Sequence, residues 1–237
     1  MLQRTFLPPA RRTRRVLLWT LGTLGAIAVA LLFAPIDRLV YPWFFIEGVR
    51  GEDWHQVLRQ VGYIPTWIII ALIAWRIDAG RSGADTNALE ITPGWPPRPA
   101  HHRAGLLFLA AGLGGLFAEV LKPIIGRSRP NAEGVTHFLE RPMILFADGG
   151  DIGYGLPSSH TAVAFGGMAM LAMLEPRIRV IAFALAAGCG ISRMNAGAHA
   201  LSDVLLGALV AIVTARLLFR AGQGPRRGPA GGLVPLH

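Results

Sequence analysis

Charge is scarce in this chain. Only 16% of its 237 residues are Asp, Glu, Lys or Arg, against 52% apolar residues, and the mean hydropathy is +0.45. Soluble domains carry about a quarter charged residues, so the composition excludes an ordinary soluble domain and implies a membrane protein. Cysteine is nearly absent. Cys189 alone excludes an intrachain disulfide and a cysteine metal site, and its place in an apolar run makes it a small core residue. Acidic residues are in deficit, 14 against 23 Lys and Arg, for a net charge of +9. That excess would suit nucleic acid, but the basic residues are scattered between apolar runs without a stripe or interleaved aromatics, so nucleic acid is not an expected partner. There is no internal repeat and no heptad run. The loop carboxylates Glu133, Asp148 and Asp151 do not fall at a metal-ligand spacing, so neither a metal nor a cofactor is expected.

The chain is rich in apolar runs. Six of them, at 16–34, 63–77, 104–121, 158–174, 178–191 and 201–219, predict an all-α integral membrane protein with six transmembrane helices. A basic stretch, Arg4, Arg11, Arg12, Arg14 and Arg15, precedes the first run as it would in a signal peptide. The run is longer than a signal core, however, and Ala34–Pro35 is a weak cleavage cue, so it reads as a retained span. The expected organisation is a basic cytoplasmic N-terminus (1–15), a six-span domain (16–219) and a flexible Gly-, Pro- and Arg-rich tail (220–237). Residues 37–62 mix charges with Tyr41, Trp43, Phe44, Phe45 and Trp54, as a segment at the membrane interface would, or a lipid-contacting lip near a site. Residues 78–102 read as a polar connector. Gly105, Gly112, Gly114 and Gly115 predict close helix packing in the third run, with Glu119 as a structural polar contact or a partner of Lys122. Most of the basic residues fall on the side that carries both termini, which the positive-inside rule makes cytoplasmic.

On that topology three polar stretches meet at the opposite, periplasmic face: KPIIGRSRP (122–130), PSSH (157–160) and SRMNAGAHALSD (192–203). Lys122, Arg129 and Arg193 would repel one another unless an anion sat between them, and guanidinium forks match phosphate oxygens. Pro157, Ser158 and Ser159 before an apolar run predict a helix N-terminus, whose free N–H groups and dipole also favour phosphate. His199 and Asp203, four apart, would share a helix face, the carboxylate holding one ring nitrogen and leaving the other free. His199 could then attack phosphorus while His160 protonates the leaving oxygen and afterwards activates water. Arg127 and Arg141 could reach a second phosphate or headgroup, or stand in solvent.

Together these stretches resemble the signature of the type 2 phosphatidic acid phosphatase (PAP2) superfamily: Lys-x6-Arg-Pro, Pro-Ser-Gly-His and Ser-Arg-x5-His-x3-Asp. Lys122, Arg129 and Pro130 fit the first, Pro157, Ser158 and His160 the second, and Ser192, Arg193, His199 and Asp203 the third. The match spans roughly 104–219. The resemblance implies a six-span PAP2-like helical bundle of the bacterial inner membrane. It also implies phosphate binding by Lys122, Arg129, Ser158, Arg193 and the backbone of Ser159, with His160 as acid and base, His199 as nucleophile and Asp203 as its partner. Ser159 stands where the family usually has glycine, keeping the N–H but adding a hydroxyl that tightens the pocket.

The expected function is therefore a metal-independent lipid phosphatase working through a phosphohistidine. Its candidate substrates are undecaprenyl pyrophosphate, phosphatidylglycerophosphate, phosphatidic acid and lipid A phosphates. Two rivals are a phosphotransferase that passes the phosphate to another lipid, and a non-enzymatic phospholipid binder or transporter, which would not need His160 together with the His199–Asp203 pair. The vanadium-dependent haloperoxidases share the phosphate signature but are soluble, which six apolar runs oppose. Neither the lipid nor the oligomeric state is written in the sequence.

Overall fold

A computed structural model describes residues 32, 35–84, 101–138 and 153–223, with the backbone alone at 81–84. The expected first span and both terminal segments lie outside these residues, apart from Leu32 and the start of the tail, which is helical as far as Gln223. Residues 35–44 form a helix, α1. It is followed by a single 3-10 turn at Val49–Gly51, then α2 (Asp53–Gln60), α3 (Ile64–Ala84), α4 (His101–Ile125), α5 (Ser159–Leu174), a 3-10 turn at Pro176–Ile178, α6 (Arg179–Asn195) and α7 (Leu201–Gln223). Secondary structure is thus mostly helical, as expected. Three of these helices are long and apolar enough to cross a membrane, His101–Ile125, Pro176–Asn195 and Leu201–Gln223. α2 and α3 make a fourth if counted as one span bent by 61°.

The bend has a local cause. α2 ends at Gln60, and its last carbonyls are taken by the next helix, Thr66 Oγ1 donating to Gln60 O at 2.8 Å and Trp67 Nε1 to Val61 O at 2.9 Å. These bonds satisfy acceptors that a continuous helix would have used internally. The segment 37–62, read from sequence as one interfacial stretch, is therefore two helices and a turn folded under the bundle, with Asp37 and His55 buried.

α5 is the hub. It packs against α4, α6 and α7, and Thr161–Ala164 and Gly166–Met170 are all buried. Its 16 residues rise about 24 Å, short of the ~30 Å hydrocarbon core, so α5 is a buried central helix whose first turn opens beneath loops. Gly114 and Gly115 of α4 make that packing possible, since a Cβ would stand 3.0 Å from the Ala162 carbonyl oxygen and 2.5 Å from Val163 Cγ2, whereas Gly105 and Gly112 face open space. The outward faces of α3, α4 and α6 carry exposed Ile69, Leu72, Leu116, Phe117, Val180 and Ile181, an apolar girdle that matches lipid.

Candidate active site

The site is assembled where α4 ends, α5 begins and α6 turns into α7. α4 terminates because Gly126 takes φ +68°, its N–H closing on the Lys122 carbonyl at 2.8 Å, the left-handed stop that glycine tolerates. The chain then runs extended. Ser128 N–H donates to His137 O (2.8 Å), Arg129 N–H to Gly153 O (2.7 Å) and Gly155 N–H to Arg127 O (2.8 Å), tying the first motif to the segment that leads into PSSH.

His199 lies in the loop before α7, not on the helix face expected from its spacing to Asp203. Its Nδ1 is 2.9 Å from the Gly155 carbonyl oxygen and 3.4 Å from Asp203 Oδ2. A carbonyl can only accept, so Nδ1 carries the hydrogen and Nε2 keeps its lone pair. The tautomer needed for nucleophilic attack is thus set first by a backbone group and only second by Asp203. Burial pushes the His199 pKa below its ordinary value, with Asp203 pulling the other way, so the ring is held neutral. Asp203 also accepts the Ala200 N–H at 2.8 Å, fixing the loop that carries His199 onto the first turn of α7.

Beneath His199 lies a polar cluster that sequence reasoning missed. Arg127, fully buried, pairs with Asp37 at 3.2 Å and with Asp203 at 2.5 Å, and donates to Ser202 Oγ. Asp37 accepts the Ser202 N–H at 2.9 Å and also bonds the Ser202 hydroxyl. Burial raises the Asp37 pKa, against the Ser202 bonds and the Arg127 charge. Arg127 therefore neither meets solvent nor reaches outward for a headgroup; a buried guanidinium needs its carboxylates. Arg141, Asp148 and Asp151 lie outside the described residues.

Lys122, the sole lysine of the chain, is not a bare cation. Its Nζ contacts Glu119 at 2.7 Å and donates to Ser159 Oγ at 3.1 Å, leaving one of three N–H donors for a ligand. The unusual Ser159 hydroxyl thus orients Lys122. Ser158 is fully buried; its N–H goes to the Asp203 carbonyl (3.0 Å) and its hydroxyl accepts from Thr161 (3.0 Å). α5 does begin at Ser159 with Ser158 as its cap position, so the Ser159, His160 and Thr161 amides lack intrahelical acceptors by helix geometry. Arg193 closes α6 and is buried, while Arg129 is exposed. The charges of Arg193, Arg59 and Lys122 act on His160, and those of Arg193 and Arg129 act on His199. The second and third motifs and both cationic ends of the first therefore converge. Ser192 is structural, its hydroxyl on the Cys189 carbonyl (2.7 Å) and its own carbonyl 3.0 Å from His55 Nε2, and Cys189 is a buried core residue.

Residues 103–227 match the family model described as the PAP2 superfamily. This chain belongs to the PAP2 superfamily. Lipid A 1-phosphatases of Rhizobium johnstonii and Rhizobium etli are 35% and 37% identical to it, over 131 residues (53% of this chain, 52% of the relative) and 126 residues (48% and 52%). The chain thus matches about half the length of these curated relatives. A crystal structure of a transmembrane PAP2-type phosphatidylglycerolphosphate phosphatase from Bacillus subtilis shares the fold, with a TM-score of 0.59 at 19% identity over 87% of this chain and 96% of that one. Asp37 lies upstream of the PAP2 match, and no local pattern marks it, because its partners Arg127 and Ser202 are distant in sequence.

Proposed function

We propose that this PAP2 protein is a membrane lipid phosphatase, a phosphoric ester hydrolase that cleaves a lipid phosphate through a phosphohistidine. The observation that carries the reading is His199, neutral and with Nδ1–H committed to Gly155, so that its free Nε2 shares one site with His160, Arg193 and Arg129. In the first step Nε2 of His199 bonds to phosphorus as the P–O bond to the lipid breaks, and His160, which takes up a proton when the phosphate's negative charge enters the site, passes that proton to the leaving oxygen. In the second, His160 takes a proton from water as the hydroxide oxygen displaces His199 and releases inorganic phosphate. Arg129, Arg193, the third N–H of Lys122 and the first amides of α5 stabilise the equatorial oxygens, where most of the catalysis of phosphoryl transfer lies. Asp203 with Arg127 and Asp37 keeps His199 in place.

The similarity to lipid A 1-phosphatases places a lipid A 1-phosphate among the substrates to test, with undecaprenyl pyrophosphate, phosphatidylglycerophosphate and phosphatidic acid. The distribution of Lys and Arg supports cytoplasmic termini and a periplasmic site. Detergent-solubilised protein is expected to release phosphate from at least one of these lipids with chelator present, and His199→Ala to lose that activity. Full activity in His199→Ala would sink the mechanism; label recovered on an added acceptor lipid in place of water would convert it to a phosphotransferase.

A further inference from the structure

Arg59 stands in the last turn of α2, at the bend into α3. Its guanidinium carbon lies 5.2 Å from the centre of the Tyr63 ring, and that ring meets His160 edge-on with centroids 4.9 Å apart. Gly62, between them, is so close to α5 that a Cβ would be 2.7 Å from the His160 carbonyl oxygen. From the other side His55 fastens α2 to the Ser192 carbonyl at 3.0 Å, one residue before Arg193. A ring face under the guanidinium and two helix contacts thus hold Arg59 beside His160.

Hydrogen bonding there is incomplete. The Nε atoms of Arg59 and Arg193 and Nε2 of His160 are buried without a hydrogen-bond partner, and among the described residues no carboxylate pairs with Arg59. Buried charged donors left unsatisfied are costly until an anion arrives. The charge balance then says how much anion. Lys122 is matched by Glu119, and Arg127 by Asp37 and Asp203. Arg129 and Arg193 remain for a phosphomonoester, which carries about −1.5 to −2 near neutral pH. Arg59, within Coulombic range of Arg193 as Arg129 is, is a third cation beside these two without a carboxylate of its own, the surplus carboxylate charge being sealed around Arg127 beneath His199.

We propose that Arg59 is a specificity-determining anion contact of this site, selecting lipids with a second anionic charge beside the scissile phosphate, for which a diphosphate is the fitting chemistry. The proposal rests on the phosphatase reading only for which phosphate is cleaved. Anion binding can be tested without turnover.

The experiment uses the full chain in detergent, with orthophosphate and pyrophosphate as calorimetric probes and a prenyl monophosphate and diphosphate pair for phosphate release. Wild type is expected to bind pyrophosphate about tenfold more tightly than orthophosphate, the worth of one charge-assisted contact. Arg59→Gln brings the ratio near one by weakening pyrophosphate far more than orthophosphate, whose retained binding shows that the variant is folded, and Arg59→Lys retains part of the preference. In turnover, Arg59→Gln raises KM for the diphosphate lipid by about tenfold more than KM for the monophosphate lipid. Equal ratios in wild type and Arg59→Gln, or equal losses on both probes, overturn the proposal. Arg59-dependent pyrophosphate binding without phosphate release from any lipid would uphold the anion contact and overturn the phosphatase reading instead.

Discussion

Asp37→Ala tests whether the cluster under His199 supports the site. Asp37 is 2% exposed and Arg127 0%, so water cannot replace the carboxylate once it is removed. The Ser202 N–H and hydroxyl lose their acceptor, and Arg127 keeps only Asp203 and Ser202. Breaking a buried pair costs about 3–5 kcal/mol; because Arg127 retains one carboxylate, the low end, about 3 kcal/mol, applies. At about 2–4 °C per kcal/mol for a chain of this size, Tm should fall by roughly 6–12 °C. Asp37→Asn, which keeps an acceptor for Ser202 but not the charge, should fall about half as far. Catalysis should suffer beyond stability. With one partner gone, Arg127 is drawn toward Asp203, whose other oxygen holds the Ala200 amide and borders His199, and a displacement of a few tenths of an ångström at a nucleophile costs about tenfold in kcat. The assay is thermal unfolding in detergent alongside phosphate release per folded molecule, measured well below Tm. A wild-type Tm with wild-type kcat would refute the reasoning, since it would mean that Arg127 and Ser202 can lose one of their buried acceptors at no cost.

Gly155→Ala would put a Cβ 2.7 Å from the Ser128 carbonyl oxygen and 3.1 Å from Asp203 Oδ2, so the carbonyl that holds His199 must move. kcat should drop about ten- to a hundredfold with KM little changed, read from steady-state phosphate release. Because Lys122 is the sole lysine, an amine-acylating reagent has one side-chain target; activity should decline in step with Lys122 modification by mass spectrometry, slowly at first because Glu119 and Ser159 hold the amine, and orthophosphate should protect. Burial lowers the His199 pKa below the ordinary 6.5, so between 6.5 and that lowered value the unfolded chain binds a proton the folded chain refuses. His199 therefore takes nothing from stability above pH 6.5 and erodes it as pH falls through that window. Melting curves at pH 7.5 and 5 should show a larger loss for wild type than for His199→Gln.

Local spacing carried the parts of this site that one short stretch supplies. His199 and Asp203, close in sequence, are close in space, and PSSH starts α5 with Ser158 at the cap position before an apolar run. What spacing could not carry is the acceptor for His199, a backbone carbonyl 44 residues away whose residue has no side chain to notice. Nor could it carry Asp37, whose partner Ser202 is 165 residues distant, and which sits among aromatics that imitate a membrane interface. Arg127 misled for the opposite reason. It stands between Lys122 and Arg129, where a second phosphate or solvent is the expected neighbour, yet Arg129 is exposed while Arg127 is drawn inward by Asp37 and Asp203. The apolar runs located the helices but not their surroundings. α5 reads as one more span, and only its contacts with α4, α6 and α7 reveal a helix too short and too buried to be a lipid-facing one. That burial shapes the site, because a short central helix opens its positive end inside the protein, where the low dielectric strengthens its pull on a phosphate and where Lys122, Arg193 and His160 can surround the same anion.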